Sequence, residues 1–114
     1  MQYFESFLQA LALTIAIEGL VLYAASRKMG HSLSSKTIAF CAIACSSATL
    51  PFVWYSFPAV FTDKFLEVAA SEAFAILAEW VLLCRILRIS MKDCFFLSLA
   101  CNTVSFFAGA LLGF

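Results

Sequence analysis

The stretch "ILAEWVLLCRILR", residues 76–88, decides the fold because it places a carboxylate, Glu79, inside a long apolar run. A second stretch, "AIEGLVLYAASR" at residues 16–27, likewise places Glu18 among apolar residues. In both, an arginine follows the glutamate by nine residues, Arg27 in one case and Arg88 in the other. Apolar runs of about 20 residues have the length that crosses a bilayer. We therefore expect both glutamates to lie within membrane-spanning helices.

The overall composition is typical of a membrane protein. Of the 114 residues, 64% are hydrophobic and 12% are charged, whereas soluble domains carry about 25% charged residues. The mean hydropathy is +1.00. The formal net charge is zero, so no basic surface indicates binding to nucleic acid. We predict an all-α integral membrane protein whose partner is the lipid bilayer and which needs no cofactor.

Four apolar segments predict four spans. They run from Phe7 to Ser26, from Thr37 to Phe57, from Phe65 to Leu87 and from Asp93 to Phe114. The linkers leave no room for a soluble domain, so residues 1–114 should form a single transmembrane domain. Because the connections are short, we expect a four-helix bundle with up-down-up-down topology.

The basic residues predict the orientation. Only Lys64 lies in the second linker, beside Asp63. By the positive-inside rule, the side with the other cations is cytoplasmic. Both termini should then lie on the non-cytoplasmic side of a plasma (bacterial inner) membrane. The six cations that flank the first and third linkers are Arg27, Lys28, Lys36, Arg85, Arg88 and Lys92.

Aromatic residues and a proline mark the second span. Trp54 and Tyr55 near its outer end, with Tyr3 at the start of the first span, fit an interfacial aromatic belt. Pro51 lies inside the span and removes a backbone hydrogen-bond donor, so we expect the helix to bend there.

The chain reads as two tandem repeats, residues 7–57 and 65–114. With Glu18 placed on Glu79, Arg27 falls on Arg88 without a gap. Each repeat is a helical hairpin with an even number of spans, so the two should be related by a pseudo-two-fold axis along the membrane normal, as parallel repeats are. In the second helices, Lys36, Ala44, Cys45, Ser46 and Thr49 correspond to Lys92, Ala100, Cys101, Asn102 and Ser105.

These spacings predict a polar layer at mid-depth. At 1.5 Å per residue, Glu18 and Glu79 lie about 13–14 Å from their arginines. Ser46 and Asn102 follow Lys36 and its counterpart by ten residues, or about 15 Å. Since the hydrocarbon core is about 30 Å thick, all four side chains should lie near the midplane.

A charged residue at this depth costs about 2.5–3.5 kcal/mol, and intramembrane ionisable residues usually mark functional sites. We expect Glu18 and Glu79 to face each other, Ser46, Asn102 or a wet cavity. At least one should be protonated at neutral pH and donate to the Asn102 carbonyl or to Ser46. The functional interpretation is binding of a proton, a cation or a cationic substrate, with Glu72, two turns outward, on the exit path. The alternative is a structural role, in which these polar side chains hold the helices together by hydrogen bonds.

Three classes of function fit this layer. The first is a small transporter or permease-like module, which predicts a cavity that reaches the carboxylates from at least one side. The second is a non-catalytic subunit of a larger membrane complex, which predicts a dry and fully packed layer. The third is a membrane-embedded, lipid-acting enzyme, which predicts a lateral opening beside the glutamates. No nucleophile–base pair can be identified, so no catalytic residue is assigned.

The cysteines do not follow a metal-binding pattern. Thiolates select Cu(I) or Zn, but no CxxC occurs, and Cys in a membrane packs as a small apolar residue. His31, the single histidine, lies in a linker. We therefore predict no metal site. The five cysteines are Cys41, Cys45, Cys84, Cys94 and Cys101.

Small residues on the fourth span indicate close helix contacts. Gly109 and Gly113 form a GxxxG motif, which lets helix backbones approach closely. It predicts either packing within the bundle or association through the fourth helix, as a homodimer or in a larger membrane complex.

With Glu18 in "TIAIEGL", residues 14–20, and four spans in 114 residues, the chain resembles the small multidrug resistance transporters. In that family a first-helix glutamate exchanges protons for lipophilic cations, and two subunits pair antiparallel. The chain departs from the pattern in its third span, which carries Glu72 and Glu79 rather than a Gly-rich, Trp-containing helix. Its basic residues also lie mostly on one side of the predicted membrane, which argues against insertion in both orientations, as an antiparallel pair requires.

Two other resemblances involve the fourth span. "CNTVSFFAGALLG", residues 101–113, is similar to the Asn-and-Gly helix of fluoride channels, although the chain has only four glycines. Both halves resemble uncharacterised small bacterial inner-membrane proteins, in which a Glu-containing helix and a basic turn precede a helix with Asn and Ser. That resemblance implies a fold and no activity.

Overall fold

The computed structural model describes residues 2–112, which form four helices and no strand. They are α1 (Gln2–Lys28), α2 (Ser35–Val60), α3 (Lys64–Leu87) and α4 (Met91–Leu112). The prediction of an all-α fold with four helices is confirmed. The helices extend beyond the predicted segments by a few residues at most ends.

Local signals in the sequence set the helix ends. The Ser34 side chain caps α2 by accepting a hydrogen bond from the Thr37 backbone N–H at 3.2 Å. Asp63 caps α3 in the same way, as short polar residues at helix N-termini commonly do. After α1 the chain turns at Gly30, whose φ is +88°, a conformation that glycine adopts without strain. Arg88, with φ +55°, ends α3 in a left-handed cap.

The helices form a square bundle in which each packs against its chain neighbours and α1 also packs against α4. Side-chain contacts give the directions. Tyr3, at the start of α1, donates a hydrogen bond to the Trp54 carbonyl near the end of α2. His31, just after α1, lies 2.7 Å from Asp93 at the start of α4. Neighbouring helices are therefore antiparallel, and the 41 Å long axis of the molecule is the length of a helix.

The two ends of the bundle differ in packing. We call the end with Tyr3, Trp54 and Lys64 the open end, and the end with Arg27 and Arg88 the basic end. From the level of the polar layer to the basic end the interior is filled with apolar side chains and thiols, which we call the apolar plug. Its members are Leu22, Ile38, Cys41, Cys45, Leu83, Cys94, Leu97 and Cys101.

The bend predicted at Pro51 stays a prediction, but the helix changes its hydrogen-bond pattern directly after this residue. The α-helical part of α2 ends at Pro51 and continues as a π-helical turn over Phe52–Ser56. Proline lacks a backbone N–H, and wider turns of this kind interrupt helices where the regular hydrogen-bond pattern is broken. The π turn directs Val53 and Trp54 to the wall of an interior cavity.

Three of the four described helices are long and apolar enough to cross a membrane: α1, α2 and α4. Helix α3 has 24 residues but is not among them. It carries Glu72 and Glu79 in its middle, between Glu67 and Arg85 near its ends. Length and composition thus support three of the four predicted spans, and the fourth depends on where the α3 charges point.

Candidate functional site

The structure places one residue from each helix in a buried cluster at mid-length of the bundle. Glu18 comes from α1, Ser46 from α2, Glu79 from α3 and Asn102 from α4. All four are buried, and Glu79 is 1% exposed. They are the four residues for which the sequence predicts a common depth, and we keep the name polar layer for them.

Asn102 holds Glu79 in place. Its side-chain N–H donates to Glu79 Oε2 at 2.6 Å, and its second N–H donates to the Ser98 carbonyl at 2.8 Å. The sequence interpretation had the Asn102 carbonyl accepting from a glutamic acid, whereas here the amide nitrogen faces the carboxyl group. Both amide protons are thereby used, and Glu79 Oε1 has no hydrogen-bond partner among the described residues.

Glu18 occupies the side of the layer that faces an interior cavity. Its carboxyl group lies beside the carboxyl group of Glu79 and the hydroxyl group of Ser46. Ser46 is fully buried, and its hydroxyl has no hydrogen-bond partner within residues 2–112. Two buried oxygen atoms, one on Ser46 and one on Glu79, thus remain unpaired in a layer where most buried polar atoms would be bonded.

A cavity of about 510 Å³ leads from the open end to the polar layer, and all four helices contribute to its wall. Tyr3, Trp54 and Lys64 line it at the open end, and Glu18 and Asn102 line it at its deep end. Polar residues along the wall between these ends are Thr14, Thr49, Glu67, Ser71, Glu72 and Ser105.

The cavity wall carries more acidic than basic residues, which favours cations wherever the carboxyl groups are ionised. Lys64 is the only basic residue on the described wall, and it is paired with Glu67 at 3.2 Å. Glu18 and Glu72 are the remaining carboxyl groups there. A cleft lined by groups of one sign attracts ions of the opposite sign.

Glu72 lies on the cavity wall rather than in the polar layer. The sequence interpretation places Glu72 on an exit path, and that role stays a prediction. Its neighbour Ser71 is buried, and the Ser71 hydroxyl has no partner among the described residues, as is also true of Ser105. Sequence analysis did not single out Ser71, although it lies two turns from Glu79 on the same helix face.

Cys45 is the functional candidate that sequence reasoning missed. Its sulfur and one oxygen each of Glu18 and Glu79 lie within 4.8 Å of one another, and all three residues are buried. We call this set the glutamate–thiol cluster. The signal was present, since Cys45 follows Lys36 by the same nine residues that separate Glu18 from Arg27 and so lies at the same depth.

The other candidates lie apart from the polar layer. His31 Nε2 is 2.7 Å from Asp93 Oδ2 at the basic end, where the two side chains are 25% and 32% exposed. Gly109 lines the cavity, and its GxxxG partner Gly113 lies outside the described residues. The interpretation of this motif, as packing or as dimerisation, stays a prediction.

Comparisons with protein-family models, with curated proteins and with solved structures found no match to this chain.

Proposed function

We propose that this chain is a small membrane transporter or permease-like module in which Glu18 and Glu79 bind a proton, a cation or a cationic substrate. One observation carries the proposal: a cavity of about 510 Å³ reaches Glu18 and Asn102 from the open end. Groups that only hold helices together need no such access. A cavity with an excess of carboxyl groups at mid-depth suits the binding and release of a cation.

The same proposal places all four helices across a bilayer. Three are long and apolar enough, and the α3 carboxyl groups point inward, because Glu79 is buried and Glu72 lines the cavity. The outer surface carries large apolar side chains, for example Leu20 and Leu111, which are 71% and 87% exposed. The basic end would then be cytoplasmic by the positive-inside rule, with both termini on the other side.

Burial supports the proposed duplication. In the first helices of the two repeats, Glu18 and Leu22 are buried, and so are their counterparts Glu79 and Leu83. In the second helices the agreement is wider. The buried residues Ile38, Cys41, Ala42, Cys45 and Ser46 correspond to the buried Cys94, Leu97, Ser98, Cys101 and Asn102, all 56 positions later.

The apolar plug blocks the path from the polar layer to the basic end, so transport requires a conformational change. The cavity gives access from the open end, whereas Leu22, Leu83 and Leu97, each at most 1% exposed, fill the interior beyond the layer. Passage to the basic end therefore needs a second arrangement of the helices in which these leucines separate. The two alternative functions predict something else. A non-catalytic subunit held together by its polar layer needs no cavity, and a lipid-acting enzyme needs a lateral opening beside the glutamates.

The test is cation movement in proteoliposomes. Purified protein is reconstituted, and the uptake of protons, alkali cations, divalent cations and lipophilic organic cations is measured for wild type, Glu18→Gln and Glu79→Gln. Glu5→Gln is the control, since Glu5 is an exposed carboxylate on the same helix as Glu18. We expect uptake of at least one cation by wild type and Glu5→Gln, and its loss in the other two variants.

Infrared difference spectra on the same samples report whether a cation reaches the carboxyl groups. Addition of the transported cation should shift carboxyl bands that are missing in Glu18→Gln or Glu79→Gln. Absence of uptake for every cation, together with carboxyl bands that no cation changes, would contradict the proposal and favour the subunit alternative.

A further inference from the structure

We infer that the glutamate–thiol cluster is a binding site for one divalent transition-metal cation of the Zn²⁺ type. The inference rests on the proposed function, because it names the class of cation that Glu18 and Glu79 hold. It adds Cys45 as the third ligand.

The geometry of the cluster is close to that of a metal site. The three ligand atoms lie within 4.8 Å of one another. With Zn–O bonds of about 2.0–2.2 Å and Zn–S bonds of about 2.3 Å, tetrahedral ligand atoms are about 3.4–3.7 Å apart. Closing this difference takes side-chain movements of about 1 Å at the ligands. Glu18 borders the cavity, where its carboxyl group has space to rotate.

Unpaired atoms give independent support. Glu79 is 1% exposed, yet its Oε1 has no hydrogen-bond partner among the described residues, while Oε2 is held by Asn102. The Ser46 hydroxyl is also buried and unpaired. Buried oxygen atoms normally have partners. Glu18 is the neighbour of both atoms, and an ionised Glu18 cannot donate a hydrogen bond to Glu79 Oε1. This oxygen is therefore satisfied by a proton or by a cation between the two carboxyl groups, and a water on such a cation would have Ser46 as a neighbour.

The charges favour a divalent cation over a monovalent one. With Cys45 bound as a thiolate, the three ligands carry three negative charges, of which a divalent cation neutralises two and a monovalent alkali cation only one. Each charge left without compensation is costly in a low-dielectric interior. The described layer holds no basic side chain, so an internal ion pair does not provide this neutralisation.

The ligand set selects among dications. Ca²⁺ takes six to eight oxygen ligands, and Mg²⁺ keeps several waters in an octahedral shell. Two carboxylates and one thiol form a small set that includes sulfur, which suits Zn²⁺ and neighbouring transition metals. Three protein ligands leave a fourth position open, which a water that enters through the cavity beside Glu18 would fill. Asn102 acts as the outer partner that orients a ligating carboxylate.

The test measures metal binding separately from transport. Wild type in lipid nanodiscs is titrated with Zn²⁺, and with Co²⁺ as a spectroscopic probe, because a cobalt–thiolate bond has a charge-transfer absorption. We expect one bound metal per chain and a thiolate charge-transfer band. Cys45→Ser should remove the band, and Cys45→Ser, Glu18→Gln and Glu79→Gln should each weaken Zn²⁺ binding at least about tenfold, as even loss of an outer partner does.

Cys41→Ser is the matched control. Cys41 lies one turn from Cys45 on the same helix, and both residues are 1% exposed, but Cys41 is not in the glutamate–thiol cluster. This variant should keep the band and the affinity, and size-exclusion profiles and helical circular dichroism confirm that each variant is folded. The inference is overturned if folded wild type binds neither metal, or if Cys45→Ser binds both as wild type does.

Comparison with the uptake assay separates this inference from the proposed function. Glu18-dependent uptake of a monovalent or organic cation by protein that binds no Zn²⁺ would overturn the metal site and leave transport standing. Zn²⁺ bound through Cys45 without uptake of any cation would overturn transport, and the cluster would then be a resident metal site. Neither binding nor uptake would overturn both.

Discussion

Asn102 and Glu79 are joined by a hydrogen bond, so the effects of mutating them on stability should not be additive. A double-mutant cycle measures this interaction energy. The perturbations are Asn102→Ala, Glu79→Met and the double variant, followed by their free energies of unfolding in mixed micelles. Hydrogen bonds between membrane helices contribute about 0.6 kcal/mol on average and about 1.7 kcal/mol at most. This bond is short, at 2.6 Å, and a carboxyl group accepts it in a buried layer. Bonds to ionised acceptors are about twice as strong as neutral ones, so we expect a coupling of about 1–1.7 kcal/mol.

The control cycle pairs Glu79→Met with Ser105→Ala. Ser105 is on the same helix as Asn102, and its hydroxyl has no partner among the described residues, so these two changes should be additive. Independent sites add within about 0.3–0.5 kcal/mol. A coupling below about 0.5 kcal/mol for Asn102 and Glu79 would refute the reasoning, because the amide would not be holding the carboxyl group.

Three further predictions concern the plug and the cavity. Leu97→Ala removes a side chain that is 0% exposed and should lower the free energy of unfolding by about 2–5 kcal/mol, whereas Leu111→Ala, at an 87% exposed position, should change it by less than about 0.5 kcal/mol. In a background without other cysteines, Val68→Cys at a half-buried position on the cavity wall should react with a membrane-impermeant maleimide added from the side of the termini; protection there would contradict the open end. Thr14→Leu fills the cavity above Glu18 and should abolish cation uptake without lowering stability, as unfolding and uptake assays on one preparation would reveal.

The sequence predicts the helices and the depth of the polar layer because both follow from one-dimensional regularities. Apolar runs have the length of a span, and the constant rise per residue converts sequence spacing into depth. Counting from the basic residues at one end was therefore enough to assign the four residues of the polar layer to one depth. These are Glu18, Ser46, Glu79 and Asn102. Depth alone does not fix the rotation of a helix; the expectation that the glutamates face inward comes from the cost of exposing a carboxylate to lipid.

The direction of the Asn102 hydrogen bond and the participation of Cys45 were not predictable in this way. An amide presents a donor and an acceptor, and only the position of the Ser98 carbonyl, which takes the second N–H at 2.8 Å, decides which one faces Glu79. Cys45 packs in the apolar plug as an ordinary small residue. It becomes a candidate ligand only because the helix rotation brings its sulfur next to the two carboxyl groups.

The position of the cavity has a simple physical cause along the helix faces that meet at the bundle axis. At intervals of four residues, α1 presents Ala10, Thr14, Glu18 and Leu22, and α3 presents Ser71, Ala75, Glu79 and Leu83. Residues four apart lie on one face of a helix. Toward the open end the side chains on these faces are small and leave a space between the helices. Toward the basic end they are leucines, Leu22 and Leu83, which fill that space. The two glutamates lie at the boundary between space and packing. A cation that binds there is reached from one side and blocked on the other, so the leucines next to the glutamates, and not the site itself, must move for it to cross.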